Sequence, residues 1–356
     1  MTARPRSDSR APTLADVGKL AGVSATTASY ALRNDARVLA ATQQKVRAAA
    51  AQLGYTPDPV LSALVARRDL NRKHAVGTNL AALVDDRWQD NIRAGWFHAF
   101  LDGMERACRR LGYALDVMRI SRDLEASNRP DSILHGRGIR GIVLLPLFSP
   151  TLSLRLNWDR YSVIAVGAPP KELPFHRVGS AAFHAVQIIC DKLKQLGYRR
   201  IGLAHPLMAE KRLGYEWLGG LSKEIFLPDS QLEIVPPCLP DAFTPERFLA
   251  WVEEHRPEVV ITNSPLILDW LKQAKYRVPR DIGVALVSRD TTDVEAAGLA
   301  QHLDISGEMA IEQLHLLLLR GETGFPLSPK ETLVRPHWVD GPTLRKHKAR
   351  RAAKRR

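Results

Sequence analysis

From residue 75 to about residue 340, short apolar runs of strand length alternate with longer segments of helical period, and the alternation starts again midway. Residues 75–84, 114–120, 141–145 and 162–166 read as strands, with a helix over 96–111 stopped by Gly112. The second series runs helix 183–196 closed by Gly197, strand 201–204, helices 212–223 and 245–255, strand 259–262, helix 266–275 and strand 283–287. Parallel strands need crossover connections, and helices are the usual ones, so this pattern predicts parallel sheets covered by helices. Two such halves in series predict two α/β lobes with a cleft between them. Ligands in such folds sit beyond the carboxyl ends of the strands.

The first 75 residues read differently. Residues 1–12 are rich in Arg, Pro and Ser and are expected to be a disordered basic tail. Thr13 is placed to cap a helix, with Asp16 completing a capping box, and Leu14, Val17, Gly18 and Ala21 recur at helical spacing. Gly22 and Val23 break that helix. Ser24 opens a second, to about Leu32, with Ala28, Ala31 and Leu32 on its inner face. A third spans 42–53 and stops at Gly54. Three short helices with a glycine-containing turn between the first two make a helix-turn-helix over residues 13–56, a unit that sets its second helix in the major groove. A small helical bundle without a DNA role has the same local pattern. Charge favours the former. Residues 1–74 hold twelve Lys and Arg against five Asp and Glu, and residues 345–356, RKHKARRAAKRR, hold eight basic residues and no acid. The region between is nearly neutral, so the chain's net charge of +13 sits at its ends, as in segments that meet a polyanion.

The run TLADVGKLAGVSATTASYALRN, then VRAAAAQLGYTPDP and LSAL, resembles the headpiece of LacI-family repressors over about 55 residues. The resemblance implies a regulator that binds a palindromic duplex operator as a homodimer and answers to a small-molecule effector. Its core would be a periplasmic-binding-protein-like pair of lobes at 75–340, crossed three times by the chain. LGYRRIGLAHP, VVITNS and VPRDIGVALV match that framework. Base-reading positions fall on Ala25, Thr26 and Tyr30. Most members carry Arg or His where Tyr30 stands, so the half-site is expected to differ. Ser24, Thr27, Ser29 and Thr13 match phosphate-contacting positions. A hinge follows over 57–74. Pro57-Asp58-Pro59 is a stiff break, and Val60, Leu61, Leu64 and Val65 give a short apolar stripe. So short a helix needs a partner to form. The resemblance implies pairing across the dimer, with Leu64 wedged into the minor groove.

For the effector site the resemblance points to Lys211 or Arg212, Asn263, Asp290 and Gln301, with Asp85 or Asp86 ending the first strand. The family's acidic pairs are replaced by Ala181-Ala182, Asn263-Ser264 and Ser288-Arg289-Asp290. Those losses point away from a common sugar. Trp88, Trp96 and Trp217 are expected in the core, with stacking on a ligand ring as the alternative.

Other chemistry finds little support. Gly136, Gly138 and Gly141 fit G-x-G-x-x-G but precede a strand, whereas a dinucleotide fingerprint follows one. The three cysteines, Cys108, Cys190 and Cys238, form no C-x-x-C and are expected to be buried thiols, not a disulfide or zinc set. Histidines 98, 184, 205 and 302 are scattered, and no catalytic motif is present, so neither an enzyme nor a cofactor or metal is expected. A solute-binding protein shares the two-lobed fold; the headpiece and the lack of a leader-like segment in MTARPRSDSR argue for a cytoplasmic regulator instead. Residues 341–356 are expected to form a disordered tail that attracts phosphate.

Overall fold

A computed structural model of the chain describes residues 12–32, 38–55, 79–89, 95–147, 152–170, 172–290 and 295–346. Residues 1–75 and 76–356 form separate compact units.

Among the described residues the first unit holds three helices, α1 (Leu14–Ala21), α2 (Ala25–Leu32) and α3 (Ala40–Leu53). Val17, Ala28, Ala31, Val46, Ala49 and Ala50 form its core, with Leu14, Leu32 and Tyr55 packed against it. Thr13 and Asp16 cap α1 reciprocally, and Gly22 ends it in the left-handed region at φ 71°. Leu64 and the rest of the expected hinge lie outside the described residues, as do most of the two terminal tails.

Among its described residues the second unit contains two six-stranded sheets. In the first lobe the strands are β1 (Asn79–Val84), β2 (Ala114–Arg119), β3 (Gly141–Leu144), β4 (Ser162–Val166), β5 (His176–Ser180) and β11 (Glu331–Val334). Their order is β11-β5-β4-β3-β1-β2, all parallel. Buried on both faces, β1, β3 and β4 read as unbroken apolar runs, and for that reason they are visible in the sequence. Helices α4 (Asp86–Gln89), α5 (Gly95–Leu111) and α6 (Pro130–Gly136) belong to this lobe. The second lobe orders its strands β12-β10-β9-β8-β6-β7, from β6 (Arg200–Leu203), β7 (Glu233–Ile234), β8 (Val259–Thr262), β9 (Gly283–Leu286), β10 (Ala297–Ala300) and β12 (His337–Val339). Only β12 runs antiparallel to its neighbour. Its helices are α7 (Ala182–Leu196), α8 (Leu207–Arg212), α9 (Glu216–Phe226), α10 (Pro245–His255) and α11 (Ile267–Gln273).

The chain passes between lobes three times: from β5 into α7, from β10 into α12 (Leu303–Arg320), and from β11 to β12. Helix α12 packs on α5, and its Ala310, Ile311, Leu314 and Leu317 join the first lobe's core with Leu80, Phe100 and Met104.

Three expectations are corrected. The helix read over 212–223 instead starts at Glu216 and runs to Phe226, while Arg212 ends a separate helix, α8. Gly214 and Tyr215 take positive φ, 60° and 65°, and separate α8 from α9. An isolated glycine is tolerated within a helical pattern, so periodicity alone does not reveal the break. Strands β5, β7, β10, β11 and β12 are not evident from the sequence: β7, β11 and β12 lie at sheet edges with exposed positions, β5 is partly exposed, and β10 is a four-residue run of small residues, AGLA. Finally, the core continues past residue 340. The Thr343 hydroxyl is buried, donates to Val284 O at 2.7 Å and accepts from Ala297 N at 2.8 Å, so residues 341–346 are not part of a free tail. All three cysteines are buried and unpaired in disulfides, and burial pushes the Cys108 and Cys190 thiols up to about 12 and Cys238 to about 11.

Candidate functional site

In the headpiece, the turn between α1 and α2 is tight because Gly18 has no side chain. A Cβ there would stand 2.8 Å from Val23 O and 3.2 Å from Ala25 N. Ser24 caps α2: its Oγ accepts from Thr27 N at 3.0 Å and lies 2.8 Å from Thr27 Oγ1. The start of α2 therefore presents Ser24, Ala25 and Thr26 as exposed residues, with Thr27, Ser29 and Tyr30 half-buried beside them. Thr13 lies at the start of α1, where its hydroxyl donates to Asp16 Oδ2 at 2.6 Å. The sequence pattern and the geometry agree here because every signal is local.

The second candidate site is a cavity of about 220 Å³ between the two lobes. It is lined by residues that follow strand ends: Pro146 and Leu147 after β3, Gly167 after β4, Ser180 at the end of β5, Asn263 after β8 and Ser288 after β9. Both lobes show the strand order that leaves a crevice at the switch point, and the cavity lies where the two crevices face each other. Three expected residues line it: Arg212, Asn263 and Gln301. Arg212 ends α8, and burial pushes its guanidinium below the ordinary value. Asn263 Oδ1 is buried with no hydrogen-bond partner among the described residues. Gln301 is engaged at both ends of its amide. Nε2 donates to Val287 O and Oε1 accepts from the Ser180 hydroxyl, which ties the first crossover to the second.

The other expected residues do not line the cavity. Asp85 forks the guanidinium of Arg87, at 3.0 and 2.8 Å. Asp86 accepts from Ser121 N at 2.9 Å. Asp290 accepts from Gln301 N at 2.7 Å, and so braces the cavity wall from behind. Lys211 is exposed. A side-chain or backbone partner holds each of these acids, and family position alone does not disclose such partners.

Trp217, expected in the core, is only 8% exposed yet lines the cavity, in the first turn of α9. Its Nε1 is buried and unpartnered among the described residues, and its ring meets that of His205 edge-on at 5.1 Å. His205 is itself fully buried, 2.8 Å from Glu210 Oε1, and Glu210 Oε2 accepts from Leu218 N. This buried pair fixes α8 to α9 and so orients Trp217. At the lobe boundary, Arg177 of β5 donates to Glu216 of α9 at 3.1 Å and also pairs with Glu331. The Arg177–Glu216 contact joins one lobe to the other. Among the described residues there is no group of three or more His, Cys, Asp or Glu placed to hold a metal, and no helix long and apolar enough to cross a membrane.

Comparison with known proteins gives a consistent picture. The family model described as bacterial regulatory proteins, lacI family, matches residues 13–58. The ribose operon repressor of Escherichia coli K12 is 32% identical over 320 residues, covering 85% of this chain and 92% of that protein. The HTH-type transcriptional repressor PurR of Aliivibrio fischeri strain MJ11 is 23% identical over 283 residues, 76% of this chain and 80% of that one. Among solved structures, a lac repressor dimer bound to operator and an anti-inducer superposes with TM-score 0.55 at 16% identity, over 94% of this chain and 99% of that one. The transcriptional regulator CelR in complex with cellobiose gives TM-score 0.54 at 20% identity, over 93% and 99%. At those identities the two structures share the fold.

Proposed function

The chain belongs to the lacI family of bacterial regulatory proteins, and from that membership we propose how its parts divide the work. It is a DNA-binding transcriptional repressor that meets operator DNA as a dimer and carries a two-lobed core for a small-molecule effector. The observation that carries the reading is the exposed amino end of α2, held against α1 by the Gly18 contact and the Ser24 cap.

In this reading Ala25, Thr26 and Tyr30 meet base edges, and the hydroxyls of Ser24, Thr27, Ser29 and Thr13 meet phosphates. Leu64 of each chain wedges into the minor groove at the centre of the site. Arg212, Asn263 and Gln301, with Trp217, contact the effector. The relatives named above are regulators rather than enzymes. We assign this chain no catalysis, and we place its work on chromosomal DNA in the cytoplasm. Coupling requires that the effector bind one lobe arrangement better than the other; only that difference in affinity can alter operator binding.

Selection of duplexes from random DNA by the full-length protein tests this. The expected result is a palindrome with a flexible pyrimidine–purine step at its centre. Repeating the selection with Tyr30→Arg is expected to bring guanine into each half-site. Enrichment of no symmetric sequence at moderate salt would remove the regulator reading.

A further inference from the structure

Strands β3 and β4 face the cleft with their carboxyl ends. At their amino ends, on the opposite side of the first lobe, lies another cavity of about 290 Å³, lined by His135, Ile139, Arg140, Arg160 and Tyr161. The backbone sets its two arginines side by side. Arg140 directly precedes β3, and Arg160 ends a 3-10 turn, Trp158–Arg160, just before β4. The parallel register places Gly141 beside Ser162, and Ser162 N donates to Arg140 O at 2.9 Å, so the two strand entries are fixed against each other. Ile139 and Tyr161, each 2% exposed, give the cavity an apolar floor.

Among the described residues no Asp or Glu pairs with Arg140 or Arg160, and none lines the cavity. Asp131 of α6 is held elsewhere: it accepts from the Tyr161 hydroxyl at 2.9 Å and from Asn157 N at 3.1 Å. Asp159, next to Arg160 in the chain, forms no pair with it. Arg137, three residues before Arg140, by contrast meets Asp116 at 3.4 Å. His135 adds a third group, with Nδ1 3.4 Å from Arg160 Nη2. Accepting there places its proton on Nε2, which makes that nitrogen a donor. Two like charges held together without a counter-charge repel, and a bound anion relieves the repulsion. The donors select which anion. One guanidinium fork satisfies a carboxylate and would leave the second arginine uncompensated. A phosphate monoester carries about −1.5 to −2 charges and three terminal oxygens, which match two forks and an imidazole N–H.

We propose that this cavity is a second ligand site, separate from the cleft, for a small phosphate monoester, with the phosphate on Arg140, Arg160 and His135 and the organic group against Ile139 and Tyr161. The volume lies close to the roughly 300 Å³ at which pockets for drug-sized ligands begin, so the organic group is small. The other source of phosphate for such a cluster is the backbone of DNA, a diester with one charge and no group to place on the apolar floor.

Calorimetric titration of the full-length protein with phenyl phosphate, beside benzoate and phenol at the same ionic strength, tests it. Phenyl phosphate is expected to bind about tenfold or more tighter than benzoate, the ratio that corresponds to one further charge-assisted hydrogen bond. Arg140→Gln and Arg160→Gln are each expected to weaken phenyl phosphate about tenfold or more. Both side chains are exposed, so the melting temperatures are expected to stay at the wild-type value, and thermal melting checks this. No heat from phenyl phosphate, equal affinity for benzoate, or undiminished binding in both variants overturns the proposal. Gel retardation with operator duplexes of short and long flanks separates the two sources of phosphate. If phenyl phosphate does not bind while Arg140→Gln weakens only the longer duplex, the cluster meets the DNA backbone and the monoester site is overturned. The titration contains no DNA, so its outcome does not depend on the regulator reading.

Discussion

Ser24 is asked to do two things. As the first residue before α2 its Oγ accepts from Thr27 N at 3.0 Å, and as an exposed hydroxyl at the same helix end it is proposed to meet a phosphate. The two roles separate by substitution. Ser24→Ala removes both, with a loss of headpiece stability of about 1 kcal/mol. Ser24→Asp keeps a good cap, and its charge suits a helix amino end, but it sets a carboxylate against the DNA backbone. The expected outcome for Ser24→Asp is unchanged hydrogen-exchange protection in α1 and α2 together with much weaker operator binding. Operator affinity equal to wild type would leave Ser24 as a cap alone. Residue identity at this scale was legible in the sequence for the headpiece, where Thr13, Asp16, Gly22, Ser24 and Gly54 act on neighbours a few positions away. It was not legible for Trp217, because an apolar aromatic in the first turn of a helix has the same pattern whether its ring faces a core or a cavity wall.

The contact between α5 and α12 joins elements some two hundred residues apart in the chain. Gly103 lies against the backbone of Asp304, and Gly307 against that of Phe100, so neither position has room for a Cβ without a shift of backbone. Around this close approach runs a ladder of ion pairs. Arg106 meets Asp304 at 2.9 Å and Glu308 at 2.8 Å, and Arg110 meets Glu312. The two features differ in weight. Several of these charged side chains are about half exposed, Arg106 42% and Arg110 51%, so solvent screens them and each pair contributes little. Overpacking a helix contact at its backbone costs typically about 1–3 kcal/mol. Urea unfolding is therefore expected to show Gly307→Val destabilised by several times as much as Arg110→Ala. The reverse order would mean that the ladder, not the close approach, holds α12 to the first lobe.

For the molecule's second unit the question is what sets the balance between lobe arrangements. The three crossovers are tied by few side chains. Ser180 bonds Gln301, His302 Nε2 lies 2.7 Å from His337 Nδ1, and Arg177 reaches from β5 to Glu216 on α9. Arg177 is 13% exposed and Glu216 26%, so this pair is screened less than a surface bridge. It also stands next to Trp217, which lines the cavity. Glu216→Gln keeps the shape and removes the charge. It is expected to loosen the joined arrangement, seen as a larger radius of gyration of the ligand-free protein in solution scattering and a changed operator affinity with no DNA-contacting residue altered. If neither quantity moves, the pair is a local contact with no part in the switch.

Much of this protein was set by its sequence alone. The caps and glycines of the headpiece act within a single turn, and the buried central strands of a parallel sheet must be apolar on both faces. The helix-turn-helix and the two α/β lobes were therefore readable before any coordinates. Which side chains meet in the cleft was decided only by the tertiary structure. Its wall is assembled from strand and helix ends as far apart in the chain as Phe100, Pro146, Ser180, Arg212, Asn263 and Gln301. Whether an acid reaches that wall depends on whether a nearer partner already holds it, as Arg87 holds Asp85 and the Gln301 amide holds Asp290. Local patterning specifies elements; competition for hydrogen bonds among distant elements, settled only on folding, specifies the site.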